Sequence, residues 1–206
     1  YLTSAASNTL FTSDSTIYAN WSVNQYLVTF DARGGTSSEQ TRPVSYDSAL
    51  VSLPTAEYTN HVFKGWYTEP SGGTQISEST TITGPVTFYA QWDDAVAGIN
   101  GVYYTTLAGA VADVTTSTPT TIRLVANTSE SITISAGQDI TFDFGTNTLS
   151  NSGDNVVINN NGTLTFASGA ITSSVNQITI NNNSGGTLFI TGGTIESTGT
   201  QQAVYN

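Results

Sequence analysis

The stretch INNNGTLTF at residues 158–166 decides the fold of the second half of this chain, because it returns as INNNSGGTLFI at 180–190. Ile158 recurs after 22 residues and Leu164 after 24. A short period in which apolar and polar residues alternate between runs of Asn, Gly and Ser is typical of a solenoid of stacked strands. We therefore predict a parallel β-helix with apolar residues inside and a ladder of stacked asparagine amides.

Two weaker copies of the same pattern precede this stretch, TIRL at 121–124 and ITFDF at 140–144. Ahead of them, four apolar residues fall at the i, i+3, i+4 and i+7 positions of a helix: Leu107, Ala110, Val111 and Val114. This spacing predicts one short amphipathic helix over 105–114. We expect the helix to cap the open end of the solenoid. Residues 93–98 are predicted to form a short linker in front of it.

The first half contains a second kind of repeat, since TIYANW at 16–21 returns as TFYAQW at 87–92. Residues 1–21 are therefore interpreted as the C-terminal part of one module, and 22–93 as a complete copy of it. Within the complete copy, β-forming residues between turn signals predict strands at 26–30, 44–46, 62–67 and 86–92. At most one short helix fits, within 48–60.

The complete copy carries an ordered series of short motifs: YLVTFDARGG at 26–35, Leu53-Pro54, FKGWYT at 63–68, SGGT at 71–74 and FYAQW at 88–92. In this order the motifs resemble the internalin-type B-repeat, also called the Listeria–Bacteroides repeat. The resemblance implies a β-grasp-like fold on the exterior of bacteria, in a module without catalytic residues. The family usually has Asn in the turn where this sequence has Arg33. The second half is similar, in texture and period, to the pectate-lyase-like right-handed parallel β-helices of large bacterial surface proteins.

The charge of the chain excludes several classes of partner. Four Lys and Arg stand against fifteen Asp and Glu, so the formal net charge is −11. No nucleic-acid partner is expected, since phosphate binding needs clustered cations. No apolar run is long enough to span a bilayer, so no direct membrane insertion is expected. The chain contains no Met, and we expect it to be a piece of a longer protein whose wall anchor lies in other segments.

The main alternative to a non-catalytic module is an enzyme with catalytic acids, because polysaccharide lyases and glycoside hydrolases also have β-helix folds. Asp139 and Asp143 are four residues apart, which on one strand separates them by roughly 13 Å. Glycosidases hold their two carboxylates about 5–9.5 Å apart. Without a bulge this pair is too widely spaced, so no catalytic residue is predicted. An enzyme whose catalytic coils lie beyond residue 206 stays the alternative function.

No cofactor is predicted for this sequence. Calcium held by Asp139, Asp143 or Asp154 is the alternative, because calcium takes six to eight oxygen ligands, but the chain has no Asp-x-Asp-x-Asp-Gly loop. His61, the only histidine, is expected to be structural or exposed. Lys64 is expected to point outward from its strand.

Aromatic side chains are the feature best suited to a ligand. Tyr67, Tyr103 and Tyr104 are the candidate weak contacts, since exposed rings pack against sugars. Trp66 and Trp92 are expected in the core of the module, where large rings fill space efficiently. The Thr-x-Thr spacings at 146–148 and 163–165 are those of ice-binding solenoids. The two pairs do not recur at the coil period, so ice binding is a remote alternative.

These features together predict an all-β dominated chain. It would comprise the end of a preceding B-repeat at 1–21, a complete B-repeat at 22–93, and a capping helix with the first coils of a parallel β-helix at 94–206. We interpret it as a non-enzymatic fragment of an extracellular, bacterial cell-surface protein, an adhesin or stalk module. Its expected partner is a host or matrix glycan or protein.

Overall fold

The computed structural model describes residues 22–115, 118–151, 153, 155–173 and 177–206. The predicted end of a preceding repeat, at 1–21, and the candidate calcium ligand Asp154 therefore lie outside the described residues. Most of the described chain is strand, with one short helix. The prediction of an all-β dominated fold is confirmed.

The first module, hereafter the repeat, is built on a four-stranded mixed sheet. Its strands are β1 (Gln25–Asp31), β2 (Thr36–Ser37), β3 (Thr41–Ser45), β4 (Ser48–Ala49), β5 (Ala56–Glu57), β6 (His61–Tyr67), β7 (Thr81–Ile82) and β8 (Val86–Asp94). The main sheet has the order β3-β1-β8-β6. The two central strands, β1 and β8, run parallel, and both outer strands pair with them antiparallel. A parallel central pair flanked by antiparallel strands is the arrangement expected of a β-grasp-like fold.

The core of the repeat explains why no helix forms within 48–60. Val28 and Phe30 alternate with exposed or half-buried neighbours along β1 and point into the core. Trp66 is buried, and the centroids of its ring and the Phe30 ring are 5.1 Å apart. The Trp66 indole N–H donates to the carbonyl of Pro54 at 2.8 Å. Because Leu50 is also buried, the connection is held in an extended path across the sheet. The structure has the short strands β4 and β5 where a short helix was considered.

The predicted linker at 93–98 is wrong. Strand β8 continues to Asp94, and a new strand, β9 (Ala97–Ile99), begins three residues later and pairs antiparallel with β10 (Val102–Tyr104). The intervening Ala95 is buried and donates its N–H to the carbonyl of Asn60 in the repeat at 3.0 Å. Small alanine side chains let the two parts approach closely. The segment that connects them is therefore buried and hydrogen-bonded to the repeat.

The second part is a solenoid of about three turns. Its strands are β11 (Thr120–Leu124), β12 (Thr128–Ser129), β13 (Ile132–Ile134), β14 (Asp139–Asn151), β15 (Ile158–Asn160), β16 (Thr163–Ser173), β17 (Ile180–Asn182), β18 (Thr187–Ile190), β19 (Thr194–Ser197) and β20 (Val204–Tyr205). Parallel pairing joins β11, β14, β16 and β18 on one face and β13, β15, β17 and β20 on another. Ile158 lies opposite Ile180 and Leu164 opposite Leu188, which confirms the predicted period.

The interior of the solenoid is filled by stacked apolar side chains from successive coils. The rings of Phe142 and Phe144 are 4.9 Å apart, and Phe166 of the next coil lies 5.7 Å from Phe144. All three side chains are fully buried. Burying a side chain of this size stabilises the fold by about 1.5–3 kcal/mol, so the column of rings is a main source of cohesion between coils.

The predicted asparagine ladder is confirmed. The Asn160 amide donates to Asn182 at 2.7 Å, and Asn182 donates to Asn206 at 2.6 Å. Beside this buried column, Asn183 donates to Asn161 at 2.9 Å. Each side-chain amide satisfies a neighbour one coil away, which allows polar groups to be buried at this corner of the coils that carry Asn160 and Asn182.

The predicted helix is confirmed as α1 (Leu107–Asp113), with Leu107, Ala110 and Val111 buried. It begins where the Thr106 hydroxyl accepts the N–H of Gly109 at 3.0 Å, an N-cap bond that satisfies a free helical donor. At its other end, Gln138 of the solenoid donates to the carbonyl of Val111 at 2.8 Å. The helix therefore closes the end of the solenoid core, as expected of a cap.

The turn after β1 offers a stabilising substitution. Arg33 has a φ of 51°, in the left-handed region that Asn tolerates better than other side chains. We expect Arg33→Asn to raise the free energy of unfolding by up to about 1 kcal/mol, since it relieves that conformation. Arg33→Ala is the matched control and should give no gain, because alanine is as strained as arginine there. Denaturant unfolding of both variants checks this, and equal stabilities would contradict it.

Candidate functional site

The candidate site lies where the repeat meets the solenoid, and Tyr103 of β10 is at its centre. Consecutive residues of a strand point to opposite faces, so Tyr103 and Tyr104 have different surroundings. Tyr103 is half-buried and lines two cavities, of about 380 and 520 Å³. We call these two cavities and their walls the junction site.

The smaller cavity is walled largely by ring-bearing side chains of the repeat. They are Tyr58, His61, Phe63 and Trp92. The rings of Tyr58 and His61 stack with centroids 4.0 Å apart, and the Trp92 indole lies edge-on to Tyr58 at 5.6 Å. The Trp92 N–H is held by the carbonyl of Ala32 at 3.1 Å, which fixes the orientation of the indole.

Gly35 makes this wall possible. A Cβ atom at position 35 would lie 2.5 Å from the carbonyl oxygen of Glu57 and 2.7 Å from the Trp92 ring. Such distances require the backbone or the ring to move, so a side chain here would push the wall apart. The Gly-Gly pair at 34–35 was the sequence signal for this close approach, although the sequence alone suggested only a turn.

The larger cavity is lined by the solenoid and by one loop residue of the repeat. Its polar lining residues are Asn60, Asn100, Thr121 and Arg123. The Tyr103 ring lies against Gly98, where an added Cβ atom would come within 3.3 Å of two ring carbons. Gly98 therefore leaves space for the tyrosine ring, which lines both cavities.

His61 has a structural environment, as expected. Its Nδ1 lies 2.8 Å from the carbonyl of Thr59, and its Nε2 lies 3.5 Å from a carboxylate oxygen of Asp94. The neighbouring Lys64 is exposed and pairs with Asp93 at 2.9 Å, and the hydrogen bond to Asp93 raises the pKa of Lys64. Both residues thus hold β6 to β8 at the edge of the junction.

The structure separates the three candidate tyrosines. Tyr67 lies in β6 opposite Tyr89 and does not line the junction site. Tyr104 packs against the solenoid core and donates its hydroxyl to Asp113 of α1 at 2.5 Å. Of the three, only Tyr103 faces the junction cavities, together with Tyr58 and Trp92, which sequence reasoning had not assigned to a site.

Of the candidate acids of the solenoid, Asp143 is engaged in bonds of the fold. Pairing between β14 and β16 shifts register at Asp143, so an irregularity does occur where a catalytic pair would need one. The Asp143 carboxylate, however, accepts the Ser168 hydroxyl at 2.6 Å and lies 3.5 Å from the Arg123 guanidinium. Glu130, which the sequence left unassigned, accepts the backbone N–H groups of Leu107 and Ala108 at 2.9 Å each.

Among the described residues, no three His, Asp or Glu side chains come together in a way that would hold a metal ion. Within those residues, no helix is long and apolar enough to cross a bilayer.

One threonine of the pair at 163–165 has threonines opposite it on neighbouring coils, which was not expected from the sequence. Thr165 lies opposite Thr141, and Thr141 lies opposite Thr121, so one column of threonines spans three strands. The column of Thr163 contains Asp139 on the preceding coil. A second Thr-x-Thr pair, Thr146 and Thr148, lies in β14, but Thr148 is opposite Ala170 on the next coil. The two pairs therefore do not stack, and the paired array needed for ice binding does not form on these strands.

Comparison with known proteins identifies the first module. Residues 26–91 match the Listeria-Bacteroides repeat domain. The stretch covers the sheet β3-β1-β8-β6 almost completely, so the predicted repeat is confirmed. The match does not extend into the solenoid, whose similarity to pectate-lyase-like β-helices stays a prediction.

Several curated proteins are similar to part of the chain. A protein of Evansella cellulosilytica named as a Gly-rich membrane protein is 31% identical over 85 residues, which is 41% of this chain and 10% of that protein. Another protein of the same organism, named as a membrane protein, is 38% identical over 80 residues, covering 38% of this chain and 12% of its own length. Internalin H of Listeria monocytogenes is 33% identical over 81 residues, covering 38% of this chain and 14% of its own length. The matched stretches thus span only a small part of these relatives. No solved structure is significantly similar to the chain.

Tyr104, half-buried in β10 beside the capping helix, gives a pH prediction. Burial, together with the hydrogen bond to Asp113, raises the pKa of Tyr104 to about 12. The neutral phenol is the favoured form, so its contribution to stability is complete below the ordinary tyrosine pKa of about 10 and is lost as the pH rises through about 12. We expect a phenolate absorbance titration to contain one late-ionising tyrosine that Tyr104→Phe removes. A variant that loses only an ordinary tyrosine signal would contradict the assignment.

Proposed function

We propose that this chain is a non-catalytic part of a bacterial cell-surface protein, in which the repeat supports a solenoid and both contribute a surface that binds host or matrix ligands. The observation that carries the proposal is the junction. The chain passes from β8 into β9 through buried Ala95 and Ala97, without a flexible linker. A support that must hold a binding surface away from a cell needs this kind of stiff connection.

Two further findings support the location. The repeat matches a domain described as the Listeria-Bacteroides repeat, and similar proteins are named as membrane proteins or as internalin H. We propose an extracellular position, with the chain attached to the cell wall through other segments of its parent protein. The low content of Lys and Arg also fits a partner other than nucleic acid.

The second candidate function is that of a polysaccharide lyase or hydrolase. The register shift at Asp143 favours it, because a bulge re-aims side chains next to many active sites. The contacts of the Asp143 carboxylate with Ser168 and Arg123 argue against it, because they hold the carboxylate in the fold. The non-catalytic assignment therefore has the better physical support.

Turnover assays separate the two candidates. The chain is incubated with polygalacturonate and with neutral glycans, with and without calcium, and products are followed by reducing ends and by ultraviolet absorbance of unsaturated sugars. We expect no depolymerisation, together with retention of the chain on immobilised matrix proteins or glycans. Product formation that Asp143→Asn abolishes would overturn the proposal and establish the enzyme.

A further inference from the structure

The junction site has the composition of a site for a polar, ring-shaped ligand. Its smaller cavity is walled by the rings of Tyr58, Phe63, Trp92 and Tyr103, and Tyr103 also lines the larger cavity. Aromatic side chains offer flat apolar surface at low conformational cost, and tyrosine adds a polar tip. Two adjoining cavities with one shared ring give room for more than one unit of a linear ligand.

Polar side chains around the two cavities are uncommitted. The side chains of Glu57, Asn100 and Tyr103 make no hydrogen bond to any other residue in the described part of the chain. Asn60 and Thr121, also in the larger cavity, are equally free through their side chains within that part. Ligand sites combine apolar walls with a few such convergent donors and acceptors. Hydroxyl-rich rings satisfy both requirements, since their C–H faces pack on aromatic rings and their edges exchange hydrogen bonds.

The charges at the junction favour an uncharged ligand. Glu57 lines the smaller cavity, and Asp94 stands beside His61 at its edge. The one cation of the larger cavity, Arg123, lies 3.5 Å from Asp143. The net charge of −11 adds a repulsive field for any polyanion. Acidic polysaccharides and nucleic acids are therefore disfavoured here.

We propose that the junction site binds a neutral oligosaccharide, with Tyr103 packed between two sugar units that occupy the two cavities. The inference rests on the proposed function and names the ligand class of one part of the binding surface. Glu57, Asn100 and the Tyr103 hydroxyl exchange hydrogen bonds with the sugar hydroxyls, and Trp92 and Phe63 form the apolar wall. Tyr103 of β10 completes the smaller cavity, whose other walls come from the repeat, and Asn60 of the repeat completes the larger one.

The test is calorimetric titration of the full chain with four soluble neutral probes: cellohexaose, laminarihexaose, mannohexaose and chitohexaose. We expect at least one of them to bind. Tyr103→Ala should weaken that binding by at least about tenfold, the loss typical of a central aromatic contact. Tyr46→Ala is the matched control, since Tyr46 is 52% exposed and lines neither cavity, and it should bind as the unmodified chain does.

A second variant guards against a folding defect in Tyr103→Ala. Thr121 is exposed on β11 and lines the larger cavity, so Thr121→Trp fills that cavity without removing a core contact. We expect Thr121→Trp to weaken binding as strongly as Tyr103→Ala while its melting temperature stays unchanged.

Several outcomes would overturn the inference. They are the failure of all four probes to bind, binding that both variants retain, and binding of polygalacturonate or of peptides alone. In these cases retention of the chain on matrix material would leave the proposed function standing. Depolymerisation of a probe would instead remove the proposed function itself.

Discussion

Asn160→Asp should destabilise the solenoid by about 3–5 kcal/mol, the range found when a charge is buried without a partner. Asn160 is fully buried, and its amide N–H₂ donates to Asn182 at 2.7 Å and to the carbonyl of Thr187 at 2.9 Å. An aspartate carboxylate at this position would place a negatively charged oxygen against two acceptor oxygens, those of the Asn182 side chain and the Thr187 carbonyl. The substitution changes one N–H₂ group to an oxygen and preserves the size of the side chain, so electrostatics alone decides the result.

The adjacent residue provides the control for this prediction. Asn159 accepts a hydrogen bond from Asn181 through its side-chain oxygen at 3.3 Å, and an aspartate there keeps that acceptor. We expect Asn159→Asp to cost less than about 1 kcal/mol. Far-UV circular dichroism during guanidinium unfolding measures both variants. A cost for Asn159→Asp equal to that for Asn160→Asp would mean that the ladder does not have the donor and acceptor order described above.

Glu130→Ala should cost about 2–4 kcal/mol, because three hydrogen bonds to one carboxylate disappear together. The two carboxylate oxygens accept the N–H groups of Leu107 and Ala108 at 2.9 Å and the Thr128 hydroxyl at 2.7 Å. The acceptor for the first turn of α1 thus comes from the solenoid, 23 residues along the chain from Leu107. Its loss leaves two N–H groups of the helix without an acceptor and loosens the cap.

Hydrogen exchange localises the effect of that substitution. The amides of Leu107 and Ala108 should exchange faster in Glu130→Ala, whereas the amides of β15 and β17 should change little. Glu196→Ala is the control, since Glu196 is exposed in β19 and its removal should change stability by less than about 0.5 kcal/mol. If the two alanine variants unfold at the same denaturant concentration, Glu130 does not anchor the cap.

Local patterns were enough to predict the solenoid and its cap. The repeated stretch beginning at Ile158 contains both the alternation that buries one face and the asparagines that meet across coils. The helical spacing from Leu107 to Val114 likewise fixed a helix within two residues at its start and one at its end. These features are periodic, and a period is visible in a single sequence.

Contacts between distant segments could not be predicted in the same way. The stretch from Asp93 to Gly98 has the composition of a linker, yet Ala95 and Ala97 are buried because two modules close on them. Glu130 belongs to no motif in the sequence, and only the fold brings it to the helix. The junction site depends on Tyr58 and Tyr103, which are far apart in sequence and meet only when the repeat docks on the solenoid.

Whether the repeat and the solenoid form one mechanical unit is tested most directly by tryptophan fluorescence. Trp66 and Trp92 lie in the repeat, Trp21 precedes it outside the described residues, and no tryptophan follows position 92. In a Trp21→Phe background, tryptophan fluorescence therefore reports unfolding of the repeat, while far-UV circular dichroism reports both parts. With a linkerless, buried junction, Asn160→Asp should lower the unfolding midpoint seen by fluorescence as well as the midpoint seen by dichroism. A fluorescence midpoint identical to that of the unmodified chain, beside a lowered dichroism midpoint, would show that the repeat unfolds independently of the solenoid and would contradict the account.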